Sequence, residues 1–102
     1  MDTKAKILDI AMNLNRIGGW AADDFEGKRK RIKLFLDQTD QYIESVPKAS
    51  LSQPFKKTFE RFLEEYKVLN HEGEEKPADV LAWAEKLMTW GNILTHRIQL
   101  LT

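Results

Sequence analysis

Residues 77–101, PADVLAWAEKLMTWGNILTHRIQLL, decide the fold class. Val80, Ala84, Leu87, Gly91, Leu94, Ile98 and Leu101 recur in steps of three and four, the spacing that aligns side chains on one face of an α-helix. Pro77 suits the first helical position, where a missing amide hydrogen does no harm, and Asp79 complements the positive end of the helix dipole. Gly91 costs about 1 kcal/mol of helix propensity relative to alanine. A glycine on the packed stripe therefore predicts close approach of a neighbouring helix or a bulky side chain.

The same period extends outward from this segment. Before it, roughly residues 53–70 carry Phe55, Phe59, Phe62, Leu63, Tyr66 and Leu69 as an aromatic-rich stripe, with Ser52 as the expected cap, Pro54 in the first turn and Gly73 as the exit. Residues 22–46 carry Phe25, Ile32, Phe35, Leu36, Tyr42, Ile43 and Val46, open with Asp23 and Asp24 as capping acids, and stop at Pro47. Residues 3–17 end at Gly18-Gly19, read as a C-terminal stop. Their inner face is expected at Ala5, Leu8, Ala11 and Met12, flanked by Ile7 and Leu14, with Ile10 and Ile17 on the far side.

Four helices joined by short connections predict an all-α, four-helix up-down bundle in one domain, residues 1–102, with the first and fourth helices adjacent. A three-helix core with a short N-terminal helix docked across it is the alternative. At 42% apolar residues the 102-residue chain has enough to build a core. It has no cysteine, which excludes disulfides and thiolate chemistry and fits a reducing compartment. The first residues lack the continuous apolar stretch of a secretory signal, and no uncharged run approaches the roughly 20 residues of a membrane span. A cytoplasmic location with no membrane association is the expectation.

Sixteen basic residues balance sixteen acidic ones, so no global field gathers nucleic acid or anionic lipid. Residues 1–35 hold eight Lys/Arg against five Asp/Glu, and residues 36–102 hold eight against eleven. Lys28, Arg29, Lys30, Arg31 and Lys33 form the one dense basic run. At 100° per residue it wraps its helix as a collar, which makes a poor groove-reading surface. An anion-binding or nucleic-acid role for it is the alternative function, against the simpler role of a solvated helix start.

Catalytic signatures are absent. His71 and His96 follow Val68 and Ile93 at three residues, so the Glu-x-x-His pairs of di-iron bundles do not occur. There is no Gly-x-Ser-x-Gly elbow, and Gly18-Gly19 lacks the lysine and further glycines of a phosphate loop. The chain is expected not to be an enzyme and to need no cofactor or metal.

What stands out is the supply of large apolar residues. Trp83 and Trp90, seven residues apart, lie on the shoulder of the fourth helix's stripe, where core packing is the simpler role and an interface the functional one. Ala82, Ile93 and Leu100 lie opposite that stripe, as Ile10 and Ile17 do on the first helix. Together these predict a protein-interaction module, with a partner protein or a second copy covering Ile10, Ile17, Trp83, Trp90, Ile93 and Leu100.

Overall fold

The computed structural model describes residues 2–101. Among them α1 runs Thr3–Asp24, α2 Arg29–Ser45, α3 Phe55–Glu74 and α4 Val80–Arg97, with single 3₁₀ turns at Lys48–Ser50 and Ile98–Leu100. No strand interrupts them among the described residues, and the chain is an all-α bundle. Successive helices run antiparallel. Lys6 meets Ser45 while Trp20 meets Phe35, Arg29 meets Glu75 while Ile43 lies beside Leu63, and Trp83 meets Leu69 while Arg97 meets Thr58.

α1 and α4 are adjacent, as the up-down closure predicts, and make the most extensive contact in the bundle. Small residues face each other along the seam. A Cβ placed on Gly91 would lie 2.9 Å from the Ala11 carbonyl oxygen, and one on Gly18 would lie 2.8 Å from that of Ala84. The glycine on the α4 stripe thus marks the close approach of a helix.

Gly18-Gly19 does not end α1, which continues to Asp24. Two mid-helix glycines cost about 2 kcal/mol. Continuing the helix buries Gly18 and Ala21 and sets Trp20 edge-on to Phe35 at 4.8 Å. Apolar burial of that kind outweighs the propensity cost. Asp23 and Asp24 consequently close α1 rather than open α2, and Asp24 Oδ1 accepts from the Gly27 amide at 3.0 Å. Gly73 likewise lies inside α3, buried against Trp83 and Leu36. Ser52 does not cap α3 with its side chain. Its hydroxyl has no hydrogen-bond partner among the described residues, while its carbonyl accepts from Lys56. Asp79 caps α4, accepting from the Ala82 amide at 3.0 Å.

The buried face of α1 also differs from the expected one. Ile7, Ile10, Leu14 and Ile17 are fully buried, whereas Leu8 and Met12 are exposed. Apolar residues occur on both sides of this helix, and the side richer in large branched residues turns inward. Because α1 packs on both α2 and α4, its buried arc spans about 160° at 100° per residue.

Two adjacent glycines make opposite predictions. Gly18→Ala is expected to destabilise the protein by about 1–3 kcal/mol, because its methyl meets α4 backbone. Gly19→Ala meets nothing within 4 Å and is expected to stabilise by about 1 kcal/mol. Urea unfolding followed by circular dichroism checks both signs, and equal shifts would contradict the seam.

Candidate functional site

α3 is held differently from α1. Its inner face is a ladder of rings, with Phe55 to Phe59 at 6.0 Å, Phe59 to Phe62 at 5.6 Å and Phe62 to Tyr66 at 5.4 Å between centroids. Rings of this size space helix backbones apart, and each flank of α3 is left with a groove.

The groove between α3 and α4 encloses about 300 Å³. From α3 it takes Thr58, Arg61 and Glu65, and from α4 Lys86, Thr89, Trp90, Ile93 and Arg97. Trp90 is 7% exposed and packs on Phe62 at 5.6 Å, so it offers an edge rather than a ring face. Ile93 is half-buried beside it. Arg97 donates to Thr58 Oγ1 at 3.5 Å and closes one end. Neither Arg61, Lys86, Arg97 nor Glu65 forms an ion pair with another described residue. The site is therefore an apolar strip between three cations and one carboxylate, about 16 Å long at 1.5 Å per residue from Lys86 to Arg97.

The opposite groove, between α2 and α3, carries the other sign. Asp40, Glu44 and Glu74 line it with Lys67 and His71, and it continues past Asp37 and Glu75 toward Lys33. Asn70 donates to both Asp40 oxygens, at 2.7 and 3.0 Å. Burial nonetheless holds the Asp40 carboxyl above its ordinary value of 3.8, against the hydrogen bonds from Asn70. Burial, then the nearby Asp40 charge, push the Tyr66 hydroxyl above its ordinary range.

Of the interface residues expected from sequence, the structure brings together Trp90 and Ile93. Ile10 and Ile17 are fully buried and face no solvent, which corrects their expected outward placement. Trp83 is also core, donating Nε1–H to Leu69 O at 2.9 Å. Leu100 is 38% exposed on the terminal 3₁₀ turn, outside the groove lining.

The basic run is dispersed. Lys28 precedes α2 and pairs with Asp23 at 2.6 Å, which holds that carboxyl below its usual range. Arg29 pairs with Glu26 at 3.4 Å, donates to Glu75 O, and lies over the Phe25 ring. Arg31 stands 5.1 Å above the Trp20 ring. Lys30 and Lys33 form no ion pair among the described residues, and Lys33 borders the acidic groove.

Arg61, Lys86 and Arg97 were not singled out by the sequence. Each sits on the shoulder of its own helix's stripe, and only the pairing of α3 with α4 makes them neighbours. Compared with known proteins, the chain matches no family model, no curated protein and no solved structure.

A carboxylic acid held above its ordinary value stabilises the fold when protonated. That contribution is present below pH 3.8 and is lost as pH rises through the raised native value. Asp40→Asn removes this dependence, so the melting temperature of the variant relative to the unchanged protein is expected to rise from about pH 3 to about pH 7. A constant difference across that range would contradict a burial-raised Asp40.

Proposed function

We propose that this chain is a small, non-catalytic helical interaction module, acting in the cytoplasm, whose docking surface is the groove between α3 and α4. The observation that carries the reading is the half-buried Ile93 beside the edge of Trp90, flanked by charged groups that form no ion pair among the described residues. An apolar strip with a charged rim is the ordinary anatomy of a protein interface. Aromatic and arginine side chains are also the types that most often dominate binding energy.

A docking surface on α3 and α4 replaces the one expected on α1 and α4, because Ile10 and Ile17 are spent in the core. The basic run at 28–33 gains no support as a separate anion site, since Lys28, Arg29 and Arg31 are engaged within the chain. No helix among the described residues is long and apolar enough to cross a membrane.

Thr89 is exposed at the groove wall, so Thr89→Trp fills the groove from outside without touching the core. Tagged protein incubated with lysate of the source organism, after nuclease treatment, is expected to retain a defined protein that Thr89→Trp and Ile93→Glu each reduce by about tenfold or more, the loss of one buried anchor. Retention unchanged by both variants contradicts the groove as the docking surface. A mass doubled in light scattering, reversed by Thr89→Trp, would make the partner a second copy.

A further inference from the structure

We infer that the occupant of the α3–α4 groove is an acidic protein segment, with carboxylates facing Arg61 and Arg97 and an aliphatic side chain seated on Ile93 against the Trp90 edge. This rests on reading the groove as a docking site. The charge balance of the lining selects the partner's sign, for three cations face one carboxylate. Arg97 reaches across to Thr58 on α3, the helix that also carries Arg61, so two guanidinium groups and a hydroxyl share one end of the groove. Guanidinium forks match carboxylates in paired hydrogen bonds, and a hydroxyl supplies one more donor.

The other flank of α3 reinforces the selection. Its groove carries Asp37, Asp40, Glu44, Glu74 and Glu75 against Lys33 and Lys67, so the same segment laid there meets an excess of like charge. A net charge of zero thus conceals two surfaces of opposite sign on one helix. Mismatched charge excludes wrong placements more strongly than matched charge adds affinity.

The lining fits nucleic acid poorly. Single strands bind by stacking bases on exposed aromatic faces, and Trp90 is 7% exposed with Phe62 packed against it. Glu65 stands in the groove wall, where it would repel a phosphate backbone. An aliphatic anchor between spaced carboxylates complements Ile93, the Trp90 edge and the three cations, and can leave Glu65 unopposed, which a backbone charged at every nucleotide cannot.

The full chain is screened against a random 12-residue peptide library on phage, and enriched peptides are resynthesised and titrated at low and moderate salt. Enriched peptides are expected to carry an excess of Asp and Glu around a Leu, Ile or Met. The double charge reversal R61E/R97E is expected to weaken their binding by about tenfold or more, while thermal unfolding stays cooperative and well above the assay temperature. Moderate salt is expected to weaken it in the same direction. Peptides without acidic excess, unaffected by R61E/R97E but lost in Ile93→Glu, overturn the acidic partner and leave the groove intact as a docking site. Peptides indifferent to all three substitutions, or no enrichment at all, overturn both readings. Tighter binding of a fluorescent single-stranded RNA than of any peptide, lost in R61E/R97E, overturns the protein segment in favour of nucleic acid.

Discussion

Difference in side-chain size between the two diagonal helices governs this bundle. Where α1 meets α4, glycine and alanine let backbone approach backbone, and a single added methyl would lie within 3 Å of a carbonyl oxygen. Where α3 meets its neighbours, three fully buried phenylalanines and Tyr66 stand between the helices. A close seam and a wide one in the same bundle cannot both leave a closed surface. The wide side opens as grooves along α3, and the shape available for recognition follows from the core composition.

Polar groups inside the bundle set how the helices slide past one another. Asn13 is 2% exposed and donates to Thr39 Oγ1 and Gln38 Oε1, while the Thr39 hydroxyl donates to Phe35 O. A buried amide left without partners is costly, so any slip of α1 along α2 is penalised. Trp83 does the same between α3 and α4 by donating to Leu69 O, and Tyr66 does so between α2 and α3 by donating to Leu36 O at 3.3 Å. Each seam between successive helices holds at least one such bond, and apolar packing alone would tolerate more sliding than these contacts allow.

Charge is distributed by the fold rather than by the chain. The densest basic run in the sequence is largely consumed locally, by Asp23, Glu26 and the Trp20 and Phe25 rings. Isolated cations far apart in sequence, Arg61, Lys86 and Arg97, instead share a groove and form no ion pair among the described residues. Linear density is a weak guide to surface potential because a run on one helix has nearby acids to meet. Residues on two facing helices are brought together by packing, whatever their separation.

The sequence by itself determined the helices, their approximate number and order, the inner faces of α2, α3 and α4, and the close approach at Gly91, because apolar period and capping are local properties. Only the tertiary structure decided that α1 runs through Gly18-Gly19, that Ile10 and Ile17 rather than Leu8 and Met12 turn inward, and that Trp90 and Ile93 share a groove with three cations. The first two depended on a partner surface that outweighs local propensity and chooses between two apolar sides of one helix. The third depended on which shoulder of α3 faces which shoulder of α4, a relation set by the size of the rings between them and written in no single segment of the chain.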